Sequence, residues 1–317
     1  MAKLISRRKI LAGSALSLGV TACSSEPPSG QNSKTGQPLA TIYNTDEFLI
    51  PGPADRVLRI QVSHPLPDST WSGFPEAMKN LKPVPVYVID GGWVFGMLSG
   101  ITRYLQWGGE QLPCMVVGIA YEDMVEADED DFRRYDLTPP DPNWGEYSGE
   151  ASSPNTVGGD ADFRRFLIET LVPLIEEKYE VDSSQSTLFG HSFGGLFAMN
   201  TMLETPRAFS NILALSPSLW FADHHFLAEL EHRLSDGSFV YPGKLAVYAG
   251  EREEQIAGET YRMTSNVVAL ADIIGGYTSS FGGAEIKVLP NRTHHNILGQ
   301  ATTLGLEFIL SGKGVKR

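Results

Sequence analysis

The chain offers one serine placed to act as a nucleophile, Ser192, in Gly190-His191-Ser192-Phe193-Gly194. A serine hydroxyl is a weak nucleophile at neutral pH. It needs a base within hydrogen-bond reach and donors that stabilise the developing oxyanion. The Gly-x-Ser-x-Gly turn lifts the serine onto a sharp strand-to-helix bend where larger flanking residues would clash. The local sequence fits, with an apolar Thr187-Leu188-Phe189 before the turn and a helical pattern over Leu196–Leu203 after it. The bare pattern is a weak signal in a chain with 32 glycines. It gains weight from its context and from the partners downstream.

A base is expected after the last strand, and an acid between serine and base in chain order. Seven histidines are present. Only His294 and His295 follow the last strand-like run, Ile286–Leu289, and spacing alone leaves both open. The acid is expected just past the strand Leu245–Tyr248, in Gly250-Glu251-Arg252-Glu253-Glu254. Glu253 is the first choice, Glu254 and Glu251 are alternatives, and Asp223 would serve if the acid sat one strand earlier. A Ser–His dyad without an acid is a further option. For the oxyanion hole the backbone N–H of Phe193 is one donor. Gly92 is the other, because Asp90-Gly91-Gly92 follows the strand Val84–Ile89 and glycine lets the backbone approach a ligand closely. No cofactor and no metal are expected. His224-His225 lacks a companion ligand at zinc spacing, and there is neither a dinucleotide-binding nor a phosphate-binding glycine motif.

The elements that must position these residues read as an α/β arrangement. Val84–Ile89 and Met115–Ala120 are continuous apolar runs, as in parallel strands covered on both faces. Val57–Val62 alternates and reads as an early edge strand. Asp162–Tyr179 has helical spacing, Ile212–Leu215 is another strand, and Glu254–Ile274 fits a helix between the last two strands. A mainly parallel, doubly wound sheet with helices on both faces follows. Residues 122–150 carry seven acids over Glu122–Asp131 and read as a long solvated acidic loop.

The chain start carries Lys3, Arg7, Arg8 and Lys9, then an apolar run over Ile10–Val20, about half of what a membrane span needs. This reads as a signal peptide over residues 1–22. Val20-Thr21-Ala22-Cys23 resembles a bacterial lipobox, which implies lipidation of Cys23 and a membrane anchor on the periplasmic side, with the outer membrane as a candidate destination. Ser6-Arg7-Arg8-Lys9 also resembles a twin-arginine export motif. Residues 23–39, rich in Pro, Gly and Ser, read as a disordered tether, and 40–317 as one catalytic domain. Cys114, in an apolar strand, is then a buried free thiol. Removing residues 1–22, with four cations and no anion, takes the formal net charge from −13 to −17. Such a surface repels polyanions and argues against nucleic acid as a partner.

The chain resembles the putative-esterase family of α/β hydrolases, the group containing siderophore esterases of the enterobactin, salmochelin and bacillibactin type. The resembling segments are Tyr87–Gly91, Arg134-Tyr135-Asp136-Leu137-Thr138-Pro139, Leu188–Phe197, Ser216-Pro217-Ser218-Leu219-Trp220, Gly250–Glu253 and Asn291–Asn296. Where the family usually has Asn after Asp-Gly and Gly after the catalytic histidine, this chain has Gly92 and His295. The resemblance implies an α/β-hydrolase fold, Ser192 as nucleophile and His294 as base. The expected activity is hydrolysis of a small-molecule carboxylic ester through an acyl-serine intermediate, on a siderophore-type lactone. A carbohydrate-linked acyl esterase or acyltransferase is a rival expectation, and a lipid-anchored binding protein without catalysis is a rival of another class.

Overall fold

The computed structural model describes residues 42–67, 78, 80–122, 126–141, 143, 156–256 and 260–310. The segments expected to form the signal peptide, the tether and the lipidated Cys23 lie outside them. Eight strands form one sheet in the order β1-β2-β4-β3-β5-β6-β7-β8. They are β1 (Thr45–Pro51), β2 (Val57–Ser63), β3 (Val84–Val88), β4 (Cys114–Tyr121), β5 (Thr187–His191), β6 (Asn211–Leu215), β7 (Tyr241–Gly250) and β8 (Phe281–Leu289). β1 and β2 pair antiparallel, β2 joins β4 antiparallel, and every pairing from β4 through β8 is parallel. This is the α/β-hydrolase fold.

Among the described residues the α-helices are α1 (Gly91–Gly108), α2 (Glu126–Leu137), α3 (Asp160–Phe166), α4 (Val172–Lys178), α5 (Phe193–Glu204), α6 (Phe221–Ser235), α7 (Met263–Gly276) and α8 (Leu298–Ile309). The period-two alternation of strand side chains divides the core into two layers. Val86, Val88, Val116, Phe189, Leu213 and Tyr248 point to one face, covered by α1 and α8. Tyr87, Val117, Leu188, Ile212 and Val247 point to the other, covered by α3 to α7. β3 and β6 are buried along their whole length, which is why they read as unbroken apolar runs.

Four expectations need correction. The edge strand is β1, and Val57–Ser63 is the second strand, between β1 and β4. The acidic stretch is not simply a loop, because Glu126–Leu137 is helical. Acids stand at its start and Arg133 and Arg134 near its end, the polarity that the helix dipole favours. Its last turn is anchored inside, where the buried Asp136 accepts hydrogen bonds from Arg56 and from the Tyr121 hydroxyl. Burial outweighs the nearby Arg56 charge and pushes the Asp136 carboxyl up to about 6. The helix expected from Glu254 starts at Met263 instead. Arg262 is left-handed there (φ 53°), and Glu254 caps the new start by accepting from the Ser265 N–H at 3.0 Å and its hydroxyl at 2.7 Å. Finally, Asp162–Tyr179 is not one regular helix. A π-helical turn (Leu167–Leu171) separates α3 from α4, just before Pro173, whose missing N–H breaks the i to i−4 ladder.

Cys114 is buried and unpaired. Loss of solvent pushes its thiol up to about 12, although Gln111 donates to Sγ at 3.3 Å. It is inert packing rather than chemistry.

Candidate active site

The functional side chains stand at the carboxyl ends of β3, β5, β6, β7 and β8. β5 delivers Ser192 with φ 59° and ψ −118°, a strained geometry for a residue with a side chain. The surroundings enforce it. The Ser192 N–H donates to the Leu215 carbonyl at 3.0 Å, and its own carbonyl accepts from Leu196 at 3.0 Å and from Ser218 at 3.1 Å. A Cβ at Gly190 would lie 1.9 Å from the Gly194 carbonyl oxygen, and one at Gly194 would lie 2.8 Å from the Asp90 carboxylate. Both neighbours are held in place, so the two glycines are what permits the turn. Gly190→Ala should therefore lose about 3 kcal/mol of stability or more, as strong overpacking does, measured as a lower urea midpoint. An unchanged midpoint would mean that the elbow can open.

The candidate acid and base come from two adjacent loops. Glu253 is fully buried. One of its carboxylate oxygens accepts from His294 Nδ1 at 2.9 Å. The other accepts from the Gly250 N–H at 2.6 Å and from the Ser216 hydroxyl at 2.9 Å. Donation to a carboxylate places the His294 proton on Nδ1 and leaves Nε2 as the acceptor. The loops themselves are tied, since the Arg252 N–H donates to the Arg292 carbonyl at 2.9 Å and the Asn291 N–H to Glu251 at 2.8 Å.

The remaining candidates are elsewhere. Glu251 is exposed at that loop tie, Glu254 caps α7, and Asp223 is exposed on a left-handed stretch (φ 51°). His295 is exposed, with its ring edge-on to His294 at 5.4 Å. Phe193 is the first residue of α5 and Gly92 the second of α1. The first N–H groups of a helix have no partner within it and suit an anionic oxygen.

Four residues near the site were not given roles by sequence reasoning. Ser216 supports Glu253, and Ser218 holds the elbow backbone with its Oγ 3.5 Å from Ser192 Oγ. Both belong to the Ser-Pro-Ser segment at the end of β6, and that placement was the available signal. Arg133 reaches in from α2, bonded to Asp90. His191, beside Ser192, donates from Nε2 to the His294 carbonyl at 2.9 Å, the two rings 4.4 Å apart. Burial first, then the His294 and Arg133 charges, hold His191 well below the usual histidine range.

That shift has a signed consequence. Below about pH 6.5 the unfolded chain binds a proton at this position that the folded chain refuses. Stability from this group is complete above that pH and falls as pH drops, by at most about 1.4 kcal/mol per unit. His191→Gln should flatten the stability slope between about pH 5 and about pH 7, read from urea midpoints. An unaltered slope would show that His191 protonates freely in the fold.

An aromatic wall flanks the elbow. Phe193 contacts Trp220 (6.0 Å) and Phe221 (6.0 Å), and Trp220 stacks on Tyr261 at 4.5 Å and 26°.

A sheet of this order, with a strained serine after β5 and a buried carboxylate after β7 bonded to a histidine after β8, is the arrangement of a serine hydrolase of the α/β-hydrolase class. The family described as "Putative esterase" matches residues 72–241, more than half of the chain. The chain belongs to that family and is a serine ester hydrolase. It is 29% identical over 290 residues to a siderophore enterobactin esterase of Emericella nidulans, covering 84% of this chain and 93% of that one. It is 26% identical over 283 residues to the ferri-bacillibactin esterase of Bacillus subtilis, covering 85% and 93%. Among solved structures, an IroE-like serine hydrolase from Shewanella oneidensis superposes with a TM-score of 0.66 at 25% identity, covering 84% of this chain and 80% of that one.

Proposed function

We propose that Ser192, His294 and Glu253 form a catalytic triad that cleaves siderophore-type lactone esters. The observation that carries the triad is the hydrogen bond from the part-buried His294 to the buried Glu253 at the end of the sheet where Ser192 projects. In this reading His294 Nε2 takes the Ser192 Oγ proton as Oγ attacks the ester carbonyl. The carbonyl oxygen gains a negative charge and is received by the Phe193 and Gly92 N–H groups. Collapse expels the alkoxide, which takes the proton from His294, leaving an acyl-Ser192 ester. Water, deprotonated by His294, attacks that ester; the acid leaves, and the proton on His294 passes to the departing Ser192 Oγ. Glu253 keeps the Nδ1 proton and stabilises the imidazolium throughout.

The substrate class rests on the relatives, whose names are those of siderophore esterases, and on the wall of Phe193, Trp220 and Tyr261 beside the elbow. Such rings offer flat apolar area to an aromatic acyl or amide group. The proposal extends to location. The basic, short-apolar start followed by Val20-Thr21-Ala22-Cys23 supports export and lipidation at Cys23, with residues 23–39 as a tether and 40–317 as the catalytic domain.

The test has two arms. A fluorophosphonate should label wild type on Ser192, identified by peptide mass, and absence of that adduct would sink the triad. An ester panel should then show kcat/KM higher by about tenfold or more for a cyclic catecholamide trilactone than for an acetylated sugar. The reverse order, or transfer of the acyl group to an added sugar, would favour the carbohydrate-directed reading.

A further inference from the structure

The outer face of α1 is apolar along its length. Trp93, Met97, Gly100, Tyr104 and Trp107 follow one another at steps of four, three, four and three residues, which puts them in one stripe. Trp93 is 67% exposed, Tyr104 73% and Trp107 42%. The two tryptophans stand about 21 Å apart along the helix. The Tyr104 and Trp107 rings lie side by side with centroids 5.6 Å apart, and a Cβ at Gly100 would meet nothing within 4 Å. Charge is nearly absent from this side. Gly91–Gly108 contains no acid, although the whole chain has a formal net charge of −13. Its one cation, Arg103, is turned to backbone, donating to the His64 carbonyl at 3.2 Å and the Asn44 carbonyl at 2.8 Å. α8, in the same layer, adds one ionisable residue, Glu307. On the opposite layer α6 alone carries Asp223, Glu229, Glu231 and Arg233.

The chain enters the domain at this same face. Ile42 and Tyr43 are exposed there. A Cβ at Gly96 would lie 3.3 Å from Ile42 Cδ1, and the Arg103 guanidinium sits 5.9 Å from the Tyr43 ring centroid. Residues 24–41 link the proposed acyl site, Cys23, to Ile42, a span of at most about 65 Å. A bilayer that holds the acyl chains is thereby kept close to the side on which the chain enters, and a second contact becomes intramolecular. No helix among the described residues is long and apolar enough to cross a membrane. α1 is suited to lie along a bilayer surface, where Trp and Tyr rings bury their flat apolar part and keep the N–H or O–H tip among headgroups. An acidic body with one neutral aromatic side also has one preferred way to face that surface.

We infer that this face of α1 rests on the surface of a lipid bilayer, with Trp93, Tyr104 and Trp107 at headgroup level. The inference rests on the proposed acylation of Cys23, which supplies the anchor while the stripe sets the orientation. Gly92, the proposed oxyanion donor, directly precedes Trp93. The stripe therefore begins at the rim of the proposed site, and docking holds that rim at the membrane surface.

The experiment adds full-length protein to phosphatidylcholine vesicles and maps exposure by hydroxyl-radical labelling, read by peptide mass. On floated vesicles, labelling of Trp93, Tyr104 and Trp107 should fall about fivefold or more, while that of Val268, exposed on α7 in the opposite layer, stays unchanged. Gly100→Glu puts a charge in the middle of the stripe, where there is room for it. It should return the three rings to their labelling in solution and leave p-nitrophenyl butyrate hydrolysis and the urea midpoint as in wild type. If Gly100→Glu folds poorly, Tyr104→Asp, at a residue mostly in solvent, decides by the same criteria. Vesicle-bound wild type with all three rings labelled as in solution would overturn the inference, and so would failure to float. Protection that appears without vesicles, together with a dimer in sedimentation, would give the face to a second copy and overturn it as well. The anchor is judged apart, by the mass of the Cys23 peptide. Protected rings on floated protein that carries no acyl group would sink the anchor and leave the docking face standing.

Discussion

Ser192→Ala is expected to lower kcat about a millionfold, leaving a residual rate about 10³ to 10⁴ above water from the oxyanion donors and binding alone. Ala removes only Oγ, so the strained turn, the glycine contacts and the tie between the Ser192 N–H and the Leu215 carbonyl all persist. Folding should be untouched and KM nearly constant. The informative control is His294→Ala in the same background. Where nucleophile and base act as one unit, the second removal costs nothing further, because His294 has no proton to take once Oγ is gone. Steady-state kinetics on purified single and double variants check this. A double variant much slower than Ser192→Ala would mean that His294 activates water directly. A Ser192→Ala enzyme within about tenfold of wild type would place the nucleophile elsewhere.

Glu253→Gln should be the next most damaging substitution, with kcat down about 10⁴-fold and KM little changed. The carboxylate is fully buried and has three donors aimed at it: His294 Nδ1, the Gly250 N–H and the Ser216 hydroxyl. A carboxylate accepts at both oxygens, whereas an amide accepts at one and donates at the other. Gln therefore turns an N–H either toward His294, forcing the other tautomer, or toward Gly250, leaving two donors facing one another. Either way Nε2 is no longer reliably an acceptor, so in the proposed triad it cannot take the Ser192 proton, and the imidazolium loses its counter-charge. Activity within about tenfold of wild type would show that a Ser–His dyad carries the reaction and that Glu253 only packs the loop.

Much of this arrangement was legible in the sequence, and the limits have physical causes. The parallel strands announced themselves because β3, β4 and β6 are buried on both faces and so contain almost nothing polar. The elbow was legible because its glycines are dictated by backbone contacts. β1 was missed because an edge strand, with the pattern Thr45-Asp46-Glu47-Phe48, buries only Leu49 and Ile50. α2 was missed because its first half is almost wholly acidic, and what holds its end is one buried carboxylate with Arg56 and Tyr121, distant in the chain. At the site, the choice among Glu251, Glu253 and Glu254 depends on which side chain turns inward between two loops, and no periodicity encodes that. Arg133 was invisible for the same reason. Its partners Asp90 and His191 lie 43 and 58 residues away.

The loops after β7 and β8 are joined by backbone and side-chain bonds that involve neither Ser192 nor a ligand. Gly250, where a Cβ would come within 2.3 Å of the Arg292 carbonyl, lets them meet this closely. The proposed acid and base would thus be assembled during folding and not anew at each turnover. If the proposed triad holds, an arriving ester meets a finished acid–base pair, and the acylation burst should begin without a lag. What must wait on the substrate is its own orientation against the aromatic wall.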